Sequence, residues 1–131
     1  MLSLTLESYL MGRDKVYPEE FNLEKKMAAL DLIKRVNNLL KALRIDCPAV
    51  TSGWRPLAVN LRAGGTKRSL HMTCRAVDLA DSTGSFKAKI LTEPEHLLDF
   101  GLWLEHPDST PGWAHLDTGI RDHRLVRVFK P

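Results

Sequence analysis

The longest patterned stretch of the chain, residues 22 to 44, sets the first constraint on its fold. Met27, Leu30, Ile33, Val36, Leu40 and Leu43 recur at steps of three and four. That spacing lays one apolar stripe along an α-helix, and such a stripe needs a partner to cover it. Asn22 is placed to cap the helix N-terminus, and Lys25, Lys26, Lys34, Arg35 and Lys41 fall mainly off the stripe.

Short elements surround this helix. Residues 3 to 10 are compatible with a brief helix, and residues 11 to 20 read as a loop broken by Pro18. Residues 48 to 53 predict a short buried strand running into a turn. Residues 54 to 69 read as a loop containing Pro56, Gly64 and Gly65, with a helical turn at 57 to 63. The alternating run 75 to 80 predicts a strand. Residues 92 to 100 predict a helix with Thr92 as N-cap, Pro94 in the first turn and Gly101 past the end. Residues 102 to 105 and 113 to 118 predict two strands joined by a turn-rich segment, and a last strand is expected over 124 to 129. Helices first and strands later predict an α+β fold: a small antiparallel sheet flanked by helices, one of them long, amphipathic and N-terminal.

At 131 residues the chain fits one domain, with a helical part over about 1–45 and a core over about 48–129. A chain of this length buries a core without metal or disulfide staples, so a metal site here points to catalysis rather than to structure. Net charge is +3 and the positives are scattered, with no run of five like charges. Nucleic-acid binding calls for a concentrated basic stripe, and that partner class is set aside. Cys47 and Cys74 make no CxxC pair and no disulfide framework, which fits free thiols in a reducing compartment. Met1 to Arg13 has no positively charged n-region, and no apolar run approaches ~18 residues, so neither a secretory signal nor a membrane span is expected.

Hydrolytic zinc sites generally offer three protein ligands and one open position for water. Imidazoles and carboxylates suit that role because they leave the ion Lewis-acidic. Ser69 to Asp78 supplies His71 and Asp78 seven residues apart, the first closing a glycine-containing loop and the second within a predicted strand. Trp113 to Asp117 supplies His115, and alternation puts Trp113, His115 and Asp117 on one face. His96, His106 and His123 read as ordinary helix, turn and strand-end residues. Trp103 reads as core.

The segments S-G-W-R-P (52 to 56), Asn60, G-G-x-x-x-S-x-H (64 to 71), A-x-D (76 to 78) and H-x-D-T-G (115 to 119) fall in one order. This set resembles the M15 peptidases, the zinc D,D-carboxypeptidase and L-alanyl-D-glutamate peptidase group, and in particular their short phage-type and DUF882-like members. The helical N-terminal part also resembles phage endolysin domains. The resemblance implies zinc as cofactor, with His71, Asp78 and His115 as its ligands. It implies that Arg55 stabilises the negative charge developing on the substrate carbonyl, and that Ser69 helps to bind substrate or hold the site. Trp54 and Trp113 flank these motifs and are candidates for the walls of a substrate cleft.

Two positions depart from the family pattern. Cys74 stands where glycine is usual, and a cysteine disfavours positive φ, so a local change in the loop is expected. Cys74 reads as a buried small hydrophobe rather than a ligand. Gly112 stands three residues before His115, where many members carry the catalytic carboxylate. Glu105 is the replacement expected here. A hairpin turning at 106 to 112 would put residues 104 and 105 roughly opposite 115 and 114. Asp108 and Asp117 are the alternatives, and Asp117 could instead orient a metal-binding histidine.

The expected function is therefore zinc-dependent hydrolysis of peptide bonds in bacterial peptidoglycan, by a phage or prophage lysis enzyme. The expected partners are stem peptides, met by a monomer with no membrane insertion that is made in the cytoplasm and reaches the wall through a membrane lesion. The alternative is a catalytically inactive wall-binding or phage structural domain that keeps the zinc peptidase fold.

Overall fold

The computed structural model describes residues 1–122 and 127–131. It is α+β, with a five-stranded sheet of order β1-β2-β4-β3-β5 flanked by helices. Strands β1 (Val50–Ser52), β2 (Ala76–Asp81), β4 (Gly112–Asp117) and β3 (Trp103–Glu105) pair antiparallel, and β5 (Val128–Phe129) joins the edge parallel to β3. The last strand was expected over 124 to 129. Its residues 124 to 126 lie outside the described residues, as does His123.

Three helices precede the sheet: α1 (Leu6–Leu10), α2 (Arg13–Val16) and the long α3 (Leu23–Leu43). Helix α2 lies in the stretch expected as loop, and Pro18 follows it. The Asn22 side chain caps α3 by accepting from the Lys25 amide at 2.9 Å. The buried face of α3 comprises Ala29, Leu32, Ile33, Val36, Leu39, Leu40 and Leu43. Met27 and Leu30 are instead 61% and 44% exposed. At 3.6 residues per turn, three successive steps of three rotate a side chain by about 180°, so Met27 points away from Val36.

Strand alternation then separates the two faces of the sheet. Val77, Leu79, Leu104, Ala114 and Leu116 belong to the apolar core together with the buried face of α3. Asp78, Trp113, His115 and Asp117 alternate with them on the other face. Tyr9 of α1 is fully buried, and its hydroxyl donates to the Ala76 carbonyl at 2.9 Å, tying the N-terminal helices to β2.

The helix expected over 92 to 100 is α6 (Glu95–Asp99), and α5 (Ser85–Thr92) precedes it in a stretch for which no helix was expected. Thr92 ends α5, and Gly101, at φ 66°, follows α6. The cap of α5 is not local to it. The Asp81 carboxylate at the end of β2 accepts from the amides of Phe86 (2.9 Å) and Lys87 (3.0 Å), across a turn through Gly84 at φ 77°. A cap five residues upstream leaves no mark in the usual window before the helix.

Lys87 is buried, and its ammonium lies 3.8 Å from Asp81. It donates to the carbonyls of Thr110 and Trp113, the latter at 2.7 Å. This clamps the β3–β4 connection onto α5. Removing one partner of a buried polar cluster leaves the others unsatisfied, at a cost of about 3–5 kcal/mol. Lys87→Met should therefore lower unfolding stability by that amount in urea titrations. A loss under about 1 kcal/mol would show that the clamp is dispensable.

Candidate metal centre

The segment S-G-W-R forms a cradle for the turn that presents His71. Residues Leu70–Thr73 make one 3-10 turn, capped by the Ser69 hydroxyl, which accepts from the His71 amide at 3.3 Å. The Arg55 amide donates to the His71 carbonyl (3.0 Å), and the Trp54 indole donates to the Met72 carbonyl (3.2 Å). Position 53 has to be glycine because a Cβ there would collide with the Tyr9 carbonyl. Gly65 likewise leaves room for the buried side chain of Asn60, whose amide donates to the Thr66 carbonyl at 2.9 Å and braces the loop before His71.

Cys74 ends the turn. It adopts φ 61°, the conformation a glycine would take, so the loop is not altered as expected. A left-handed residue with a Cβ costs about 1–2 kcal/mol. The side chain is fully buried in the core, which offsets that cost, and burial pushes the thiol up to about 12. Cys74 is thus an inert packing group.

His71, Asp78 and His115 converge, with one potential ligand atom from each within 4.8 Å of the others. Strand pairing aligns Asp78 directly with His115. Asp78 Oδ1 lies 2.8 Å from His115 Nδ1, and Asp78 Oδ2 lies 3.3 Å from His71 Nε2. His71 Nδ1 is 2.8 Å from the Gly53 carbonyl, which can only accept. His71 Nδ1 therefore donates to that carbonyl, which fixes the ring with Nε2 facing the cluster. On His115 the outer nitrogen, Nε2, meets Asp117 Oδ2 at 2.8 Å. Asp117 is completely buried, and its carboxylate also accepts from the Gly119 amide (3.0 Å) and from both terminal nitrogens of Arg121 (2.6 and 3.0 Å). Two imidazoles, each with its far nitrogen tied to an oxygen, plus one carboxylate make a donor set suited to zinc.

The electrostatics follow from these contacts. Burial by itself would raise the Asp78 carboxyl, but hydrogen bonds from His115 and His71 outweigh it and hold it well below the usual carboxylate range. Burial would likewise lower His115, but Asp117 and Asp78 on its two sides raise it to about 9. Without a metal, an imidazolium bridges the two carboxylates.

The three residues form the floor of a cleft of about 350 Å³, whose walls include Arg55, Ser69, Glu105, Trp113, Arg121 and Phe129. Arg55 Nε donates to the Ser52 hydroxyl at 2.9 Å, and its Nη2 lies 3.5 Å from Asp78 Oδ2. The β3–β4 register differs from the expected one. Leu104 pairs with Leu116 rather than standing opposite His115, so continuing the ladder sets Glu105 level with His115 and on the same face. Burial raises the Glu105 carboxyl, and the nearby His115 draws it back only in part.

Other expectations fall away from the cleft. Trp54 does not wall it: the ring is fully buried against Phe21, 5.2 Å between centroids, behind the His71 turn. The Asp108 side chain is 88% exposed, and Gly112 is exposed at the start of β4. Trp103 is buried as expected, stacked under Arg121 and Arg127. Sequence reasoning missed Arg121 because its partner Asp117 lies four residues back at the end of β4, and the path between them belongs to no helix or strand. A Cβ at 119 would press on Leu70, Arg121 and Asp117, so the glycine of D-T-G was the available signal.

The raised His115 value carries a pH prediction for metal-free protein. The stability from this imidazolium is complete below the ordinary value of 6.5 and is lost as pH rises through about 9. Chemical denaturation of chelator-treated wild type and His115→Gln measures it. The advantage of wild type should shrink across that window, and an advantage constant with pH would contradict the bridging imidazolium.

The sequence profile of the Peptidase M15 family matches residues 9–104, well over half of the chain. No curated protein and no solved structure matched significantly. The matched span holds Arg55, Ser69, His71 and Asp78, while Glu105, His115 and Asp117 lie beyond it and are brought to the same cleft by the sheet. The chain belongs to the Peptidase M15 family and is thereby a metallopeptidase.

Proposed function

We propose that this M15 peptidase is zinc-dependent and hydrolyses peptide bonds of bacterial peptidoglycan, with His71, Asp78 and His115 as the metal ligands. The observation that carries the reading is the convergence of these three donors on the floor of a cleft that also holds Glu105 and Arg55. Bound zinc supplies a Lewis acid that polarises the scissile carbonyl and makes a water acidic enough to attack near neutral pH.

The chain's own groups do the rest. Glu105 accepts the proton of the attacking water and passes it to the leaving amine. Its partly buried, raised carboxyl suits that exchange better than a fully solvated glutamate would. Asp117 is committed to His115 and Arg121, which fits an orienting role and leaves Glu105 as the base. Arg55, anchored through Nε to Ser52, offers its remaining donors to the oxygen on which negative charge develops. Ser69 holds the His71 turn at the cleft edge, and Trp113 gives the substrate an apolar wall.

The ordered motifs resemble those of phage-type members, which supports a lysis role; in this reading the enzyme is a monomer acting on stem peptides. Among the described residues no helix is long and apolar enough to cross a membrane. Passage to the wall through a membrane lesion completes the reading. Gly112 favours one rival, a wall-binding domain without activity.

Mass spectrometry of peptidoglycan digested under zinc-replete conditions separates the two. Wild type should release cleaved stem peptides and lose this with a chelator. Glu105→Gln should abolish cleavage with zinc and fold retained, whereas Asp108→Asn stays active. Arg55→Ala should lower turnover by about 10²–10³ while metal remains bound. Normal cleavage by Glu105→Gln would remove the assigned base, and a wild type that cleaves nothing would favour the wall-binding domain.

A further inference from the structure

A second polar cavity, of about 400 Å³, lies between α3, the segment around Gly101 and the ends of β2 and β4. Arg35, Arg75 and Arg127 line it, with Thr118 and a single carboxylate, Asp31. Two of these guanidiniums are fixed by main-chain carbonyls on either side of one glycine. Arg35 Nη1 donates to the Phe100 carbonyl (3.1 Å), and Arg127 Nε donates to the Leu102 carbonyl (2.8 Å). Gly101 lies between them, and a Cβ there would collide with Arg35 Nη1. Arg127 also stacks over Trp103, 4.4 Å from the ring centroid. The third, Arg75, is exposed at the start of β2.

Asp31 does not neutralise this group. It is half-exposed and pairs with Arg35 Nε at 2.8 Å, so among the described lining residues three guanidiniums share one carboxylate. Arg127 feels the crowding: its guanidinium is lowered by burial first and then by Arg121 and Arg35, with Asp117 acting the other way. Like charges held together by fixed contacts raise the energy of the empty protein, and a multivalent anion relieves it. Guanidinium forks match tetrahedral oxyanions in pairs, so the chemistry selected is a phosphate group. None of the three arginines lines the metal cleft.

We propose that Arg35, Arg75 and Arg127 form a phosphate-binding site separate from the metal centre. The group bound is free phosphate or the phosphodiester of a polyanionic polymer, and the two share the recognition described. The site is independent of peptidase activity, so a failure of the proposed catalysis leaves it standing.

Isothermal titration with inorganic phosphate, pyrophosphate and a short glycerol-phosphate oligomer tests this on the whole chain. Wild type should bind pyrophosphate at least as tightly as phosphate. Arg75→Ala, at an exposed side chain, should weaken binding by about tenfold, the cost of one charge-assisted contact. Arg127→Lys keeps the charge but loses the fork and should weaken it as well. Lys34→Ala, which removes a neighbouring α3 charge outside the cavity, should bind as wild type. Oligomer binding with the same variant pattern assigns the site to a polymer; binding of the small anions alone assigns it to free phosphate. Undiminished binding by Arg75→Ala and Arg127→Lys, or equal weakening by Lys34→Ala, would overturn the site.

Discussion

The antiparallel pairing of β2 with β4 fixes both faces of the sheet at once. Its register sets Asp78 against His115, Ala76 against Asp117 and Ala80 against Trp113. A slip of one residue would turn His115 and Asp117 into the apolar core and bring Ala114 and Leu116 out. The core face therefore selects the register: Val77, Leu79, Ala114 and Leu116 are buried only in this alignment. The hydrophobic effect that packs α3 on the sheet also aims the polar residues at one another on its other side.

That polar side is costly by itself. Asp78 and Asp117 are nearly inaccessible carboxylates, and an unpaired buried charge is strongly destabilising. Each is matched. Asp117 has Arg121, the Gly119 amide and His115; Asp78 has His115, His71 and Arg55. His115 is shared between them, and in the metal-free site its imidazolium donates to both. A divalent cation held by His71, Asp78 and His115 would supply the same compensation in place of that proton, which would couple metal binding to protonation. Asp117 and Arg121 keep the outer side of His115 fixed in either state.

How much of this was legible in the sequence depended on whether the signal was local. Asn22 announced the start of α3, and the alternation in β2 and β4 announced the strands and the shared face of Trp113, His115 and Asp117. The ordered motifs announced Arg55, Ser69, His71 and Asp78, and the family match covers these four. Non-local features were not legible. The α5 cap comes from Asp81 in the preceding strand, and Trp54 sits beside a motif yet packs behind it. The level of Glu105 depends on a hairpin register that counting through the connection misjudged by one step. Cys74 shows the opposite case: the residue type argued for a changed loop, but burial of the thiol and the bonds around the turn kept the left-handed conformation.

The sheet brings three donor side chains together, and a metal held by them would take the inner nitrogen of His115 while Asp117 keeps the outer one. Crystals grown with zinc, with anomalous differences collected at the zinc edge, test it most directly. A single strong peak is expected, bounded by His71 Nε2, an Asp78 oxygen and His115 Nδ1, with Asp117 still bonded to His115 Nε2. A protein that takes up no zinc, or a peak located away from these three side chains, would contradict it.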